Sequence, residues 1–140
     1  MKFWDASAVI PLVLSEPRSE EVRKIHSSDQ EVLIWWGTPV EMVSAIARSE
    51  REGRISLTEM TALITLTREF ASSCTVIEPV NAISERAQRL LCAHALRASD
   101  ALQLGSALVA LKDNPRNFSL VSLDTRLRSA ATREGFLVLP

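Results

Sequence analysis

Four carboxylates in this chain stand where an apolar segment gives way to a turn: Asp5, Glu41, Asp100 and Asp124. Asp5 ends the run Met1-Lys2-Phe3-Trp4 and is followed by a small hydroxyl, Ser7, and an apolar helical pattern, Val9, Ile10, Leu12 and Val13. Glu41 follows a second apolar run by a few residues and precedes an apolar helix face. Asp100 opens a helix, and Asp124 ends a late strand-like run. The chain has only five aspartates, and the other two, Asp29 and Asp113, lie in polar turn sequence. In an open parallel sheet the strand C-termini and the helix N-termini that follow them share one edge, so all four acids can meet in one crevice.

Each acid also has a purely structural reading. Asp5 and Asp124 are favoured N-cap residues. Thr38-Pro39-Val40-Glu41 has the form of a capping box, and Asp100 beside a helix N-terminus gains about 0.3–1 kcal/mol from the dipole. Taken singly, capping explains each at least as well as chemistry does. Taken together they are costly: two carboxylates about 4 Å apart repel by roughly 1 kcal/mol in water and about 4 kcal/mol at an intermediate dielectric. Such a cluster raises its own pKa values unless cations neutralise it. Hard divalent cations with oxygen ligands, Mg²⁺ or Mn²⁺, fit an all-carboxylate set, and the chemistry they support is attack of water on a phosphodiester.

The elements that must hold these acids can be read from periodicity. Helical patterns run from Ser7 to Leu14, from Arg18 to about His26, over Met42–Ala47 up to Gly53, from Ser56, from Ala82 to Leu96, from Ser99 to Leu111, and through Leu127 and Ala130. Between them fall strand-length apolar runs at Val32–Trp36, Cys74–Ile77, Phe118–Leu123 and Phe136–Leu139. Strands alternating with helices predict one three-layer α/β/α domain over residues 1–140, with a mostly parallel central sheet. Trp35 and Trp36 adjoin on one strand and cannot point the same way, so one of them is available for a dimer interface or for stacking on a base.

Composition narrows the function further. Sixteen basic residues against seventeen acidic give a net charge of −1, so a polyanion must be gripped by a local patch or through metal ions. Arginine outnumbers lysine thirteen to three. Arg48, Arg51 and Arg54 follow Glu41, and Arg126 and Arg128 follow Asp124; most are expected on solvated faces, with some gripping phosphate. Arg97 is expected to pair with a carboxylate. His26 and His94 show no triad spacing. Cys74 and Cys92 lack metal-ligand spacing and are expected to be buried, reduced core thiols of a cytoplasmic protein. No signal-peptide layout and no apolar run of roughly 18 residues is present.

A phosphoaspartate receiver needs a lysine after a late strand, and Lys2, Lys24 and Lys112 are wrongly placed. A haloacid-dehalogenase phosphatase needs a second acid in Asp5-Ala6-Ser7, and a Rossmann module needs a glycine-rich loop.

Four segments carry a resemblance over essentially the whole chain: Asp5-Ala-Ser-Ala, Pro39-Val-Glu41-Met-Val-Ser-Ala, Leu96-Arg-Ala-Ser-Asp100-Ala-Leu-Gln-Leu and Ser122-Leu-Asp124-Thr-Arg-Leu. In order and spacing they resemble the PIN-domain nucleases, most nearly the VapC-type toxins of bacterial toxin–antitoxin pairs. The resemblance implies an α/β/α fold, Mg²⁺- or Mn²⁺-dependent endoribonuclease activity and a small antitoxin that blocks the site. It matches Asp5, Glu41, Asp100 and Asp124 to the acidic quartet and Ser7 to the hydroxyl that supports it. On that reading Asp5 and Asp100 are direct metal ligands, whereas Glu41 and Asp124 hold metal-bound waters or a weaker second ion. Two motifs depart from the family pattern: His94-Ala95-Leu96-Arg97 stands where many relatives have His-Gly-Leu-Arg, and Ser122-Leu123-Asp124 where Thr-Ala/Asn-Asp is commoner. The expected partners are RNA, an antitoxin whose helix docks on the apolar helices Ser7–Leu14 and Ser56–Phe70, and a second copy in a homodimer. A catalytically silent PIN-like binding module, or a PIN nuclease with a housekeeping or DNA substrate, is the competing reading.

Overall fold

The computed structural model describes residues 1–29 and 31–140. Its elements follow in the order β1 (Lys2–Trp4), α1 (Ala6–Val13), α2 (Ser19–Ser27), β2 (Val32–Trp35), α3 (Thr38–Arg51), α4 (Leu57–Ser73), β3 (Thr75–Ile77), α5 (Asn81–Ala93), α6 (Ala98–Ala110), β4 (Ser119–Val121), α7 (Thr125–Arg133) and β5 (Leu137–Leu139). The strands form one five-stranded sheet in the order β3-β2-β1-β4-β5, and every pairing is parallel. This is the expected three-layer α/β/α sandwich around a parallel sheet.

Alternation along the strands builds the two faces. Phe3, Leu33 and Leu120 point toward α5, α6 and α7 and pack with Ile83, Leu90, Leu104 and Leu127. Their neighbours Trp4, Ile34 and Val121 point the other way, toward Val9, Val22 and Met42 of α1, α2 and α3. Successive side chains on a strand face opposite sides, and strands covered on both faces read as continuous apolar runs. That is why Val32–Trp35 shows no polar break. A smaller cluster of Leu14, Ala45 and Ile46, with Met60 and Leu63 against it, seats α4 on α3 and α1. The α5 and α6 backbones approach closely at Gly105, where a Cβ would stand 3.3 Å from both Ala87 N and Ile83 O.

The strand order places the topological switch between β1 and β4. The chain winds outward from β1 through β2 to β3, then returns to the far side of β1 as β4. Ligands of open parallel sheets bind beyond the strand C-termini at such a switch. Asp5 directly follows β1 and Asp124 lies just past β4.

Three expectations about local structure need correction. Thr38 is not an N-cap: Gly37 holds that place without a side-chain bond, and Thr38 is buried and directs its hydroxyl to Gln103 Oε1 at 3.4 Å. Asp29 is not a free turn residue; it is buried, accepts from Trp4 Nε1 at 2.8 Å and lies 3.1 Å from the Met1 amine. The thiols are not both in the core: Cys92 is exposed and Cys74 half-buried, where burial pushes its pKa to about 11. By contrast, Ser56 and Glu59 form the expected capping box, each side chain bonded to the other's backbone N–H. The tryptophans part as expected, Trp35 into the core and Trp36 into solvent with 53% of its surface exposed.

Candidate active site

Asp5, Glu41, Asp100 and Asp124 all line one crevice of about 370 Å³ at the switch, together with Ser7, Arg48 and Arg97. Asp5 is the deepest, only 4% exposed. Its backbone N–H bonds Val121 O at 3.0 Å, which fixes the end of β1 against β4. Its Oδ2 accepts from the Ser7 hydroxyl, from Ser7 N at 3.2 Å and from the Ser122 hydroxyl at 2.9 Å.

Ser7 does more than start a helix. While donating to Asp5, its Oγ accepts from Leu123 N at 2.9 Å and Asp124 N at 3.2 Å, so one hydroxyl ties the β1–α1 turn to the β4–α7 turn. Ser122 Oγ also takes Asp124 N, at 3.1 Å. Asp124 caps α7 through Oδ1, which accepts from Arg126 N and Leu127 N, both at 2.8 Å. Glu41 sits in the fourth position of α3, caps nothing, and receives Gln103 Nε2 on Oε1 at 2.9 Å. Asp100 accepts from Arg97 N on Oδ2 at 3.1 Å and from the Ser99 hydroxyl on Oδ1 at 3.5 Å.

The pattern separates capping from chemistry. Asp5, Asp100 and Asp124 all bond helix-start N–H groups, so those structural readings are real; Glu41 has no such role. Yet Asp5, Glu41 and Asp124 each commit a single oxygen to the scaffold, and the other accepts no hydrogen bond among the described residues. None of these three oxygens is sealed off from solvent, so each is open to water or to a cation. The spare oxygens sit on residues lining the same crevice.

Electrostatics agrees. Burial, with Asp100 adding a smaller repulsion, lifts Asp5 to about 6 despite its serine bonds. Burial and then the charge of Asp5 lift Glu41 to about 7, against the pull of Gln103. Like charges held in a shared site behave this way when nothing neutralises them. The donor set, all hard oxygen, fits a divalent cation that keeps several waters and takes one or two carboxylates, as Mg²⁺ does. Among the described residues no three Asp, Glu, His or Cys groups converge on one metal position, so a cage of three or more protein ligands is absent from that set.

Arg97 does not form the expected ion pair: its backbone reaches Asp100, but among the described residues its guanidinium meets no carboxylate within salt-bridge distance. It lines the crevice with Arg48 instead. Arg54 pairs with Glu52 at 2.6 Å and Arg51 is exposed. His94 bonds Glu134 at 2.7 Å and His26 packs edge-on to Trp4, both structural roles.

Sequence reading missed Gln103 and Ser122. Gln103 left a trace, an amide three residues after Asp100 within a run of apolar helix positions, hence on the same face. Ser122 left none beyond its place next to Leu123-Asp124.

The sequence matches no protein-family model and no curated protein. Solved structures do match. A toxin–antitoxin complex from Klebsiella pneumoniae superposes with TM-score 0.69 at 16% identity, covering 100% of this chain and 97% of that one. FitAcB from Neisseria gonorrhoeae gives 0.67 at 14%, over 100% and 97%. VapC20 of Mycobacterium tuberculosis, a sarcin-ricin loop cleaving toxin, gives 0.70 at 17%, over 98% and 97%. At these identities the likeness establishes the fold: this chain has, end to end, the PIN-like architecture of the VapC and FitB toxins.

Proposed function

We propose that the protein is a divalent-metal-dependent endoribonuclease and the toxin of a toxin–antitoxin pair. The observation that carries this is the set of spare carboxylate oxygens on Asp5, Glu41 and Asp124, brought with Asp100 into one crevice of the sheet's switch point. Asp5 and Asp100 would hold the ion, and Glu41 and Asp124 would accept from waters bound to it. An Mg²⁺ or Mn²⁺ ion bound there supplies a Lewis acid for the scissile phosphodiester and a more acidic water. The chain does the rest. Ser7 and Ser122 fix the Asp5 carboxylate by its Oδ2, Gln103 fixes Glu41 by its Oε1, and Arg48 and Arg97 offer charge to the phosphates.

Support for the toxin role comes from the similar structures, one a toxin–antitoxin complex and one a sarcin-ricin loop cleaving toxin. The antitoxin helix docks in the groove of about 470 Å³ lined by Leu12, Val13, Leu66 and Phe70, and the toxin acts in the cytoplasm as a homodimer. No helix among the described residues is long and apolar enough to cross a membrane.

One observation favours a second reading. That no three ligands converge among the described residues is what a silent PIN-like binding module would show. Cleavage decides. Purified protein with single-stranded RNA should cut in Mg²⁺ or Mn²⁺ and stop in excess EDTA, and Asp5→Asn or Asp100→Asn should abolish cutting without unfolding the protein. Undiminished cleavage in EDTA or in either variant would refute the proposal.

A further inference from the structure

A second cavity, of about 290 Å³, is lined by His94, Thr125, Arg126, Ser129 and Arg133 along with two alanines. We infer that this cavity binds a further backbone phosphate of the RNA strand cut in the crevice. The inference rests on the nuclease reading and extends it.

The lining carries two guanidiniums and two hydroxyls and no carboxylate. Arg126, Ser129 and Arg133 recur at three- and four-residue steps and so share one face of α7. Neither arginine has an acidic partner within salt-bridge distance among the described residues, unlike Arg54, Arg86 and Arg89. The acid nearest in sequence, Glu134, is already committed: Arg89 Nη2 holds its Oε2 at 2.6 Å and His94 its Oε1 at 2.7 Å. Unspent guanidiniums in a concave, acid-free setting are suited to phosphate, which they bind in a fork.

Position ties the cavity to the crevice by two walls. Arg126 comes two residues after Asp124, which lines the crevice. His94 and Ala95 lead directly to Arg97, which lines it too. A strand whose scissile phosphate lies at Asp5 and Asp100 and which continues along α7 would present a further backbone phosphate to Arg126 and Arg133. In a chain of net charge −1, such a local grip is required for a polyanion to stay.

The test is binding of a short fluorescein-labelled single-stranded oligoribonucleotide in EDTA, read by anisotropy over a salt series. Three proteins are compared: wild type, Arg126→Ala/Arg133→Ala, and Arg23→Ala/Arg68→Ala. The last removes the same charge from α2 and α4, at positions lining neither the crevice nor this cavity. The α7 variant should bind about tenfold more weakly, and its dependence of log affinity on log salt should flatten by about 0.7, one single-strand phosphate contact. The control should stay near wild type. An α7 variant that binds like wild type, or a control that loses as much, overturns the inference. Cleavage by the wild type in Mn²⁺ separates the failures: if RNA is still cut, only the subsite falls; if RNA is neither bound nor cut, the nuclease reading falls with it.

Discussion

Gln103, wholly buried in α6, donates its amide Nε2 to Glu41 Oε1 across 2.9 Å and so holds the only carboxylate of the site that caps no helix. The same amide's Oε1 takes the Thr38 hydroxyl, which locks the first turn of α3 onto α6. Replacing Gln103 by leucine keeps the volume and removes both bonds. Leaving buried Thr38 unpaired should cost about 1–3 kcal/mol, and loss of the Glu41 support should lower RNA cleavage by about 10–100-fold. Thermal unfolding and initial cleavage rates at saturating Mn²⁺ check this; wild-type activity in Gln103→Leu would show that Glu41 needs no positioning.

The Asp5–Glu41 pair makes the stability of the metal-free protein depend on pH. Burial raises Asp5 to about 6 and Glu41 to about 7, whereas in the unfolded chain both titrate near 4. Between those limits the folded protein holds protons that the unfolded chain has released, so unfolding gains as pH rises. The pair's contribution is therefore complete below about pH 4 and is lost as pH climbs through 6 and 7. For buried Asp5 the loss is about 3 kcal/mol; Glu41 is partly open to solvent and contributes less. In EDTA, melting temperatures from pH 4.5 to 8 should fall more steeply for wild type than for Glu41→Gln, and Mn²⁺ should reverse the fall at pH 8. Parallel curves for the two proteins would mean that Glu41 is not perturbed.

Asp124 has two jobs that substitution can separate. Its Oδ1 caps α7, a role asparagine fills equally well. Asp124→Asn should therefore unfold within about 0.5 kcal/mol of wild type yet cut RNA more slowly, whereas Asp124→Ala should lose about 1 kcal/mol of stability as well. Unchanged cleavage in Asp124→Asn would reduce Asp124 to a cap.

The acids and the elements that carry them were legible because both leave local marks. Apolar periodicity marks strands and helices, an acid at the end of an apolar run marks a sheet edge, as at Asp5 and Asp124, and an acid in the first turn of an apolar helix marks its start, as at Asp100. What a one-dimensional reading could not supply were contacts between remote segments. Ser122 meets Asp5 across 117 positions and Gln103 meets Glu41 across 62, and no periodicity encodes either. Thr38 misled because a hydroxyl before Pro-Val-Glu suits a cap, while a buried partner on α6 outcompetes that role. Asp29 misled in the same way, its polar neighbours concealing the amine and indole it meets.

The central claim is that this crevice holds a divalent ion through carboxylates gathered from distant parts of the chain. Calorimetric titration of Mn²⁺ into the purified protein at pH 8 measures that alone, without RNA or turnover. Saturable binding in the wild type, lost in Asp5→Asn and in Asp100→Asn while both stay folded, is the predicted result. No heat of binding in a folded wild type, or equal binding in all three proteins, would contradict the account.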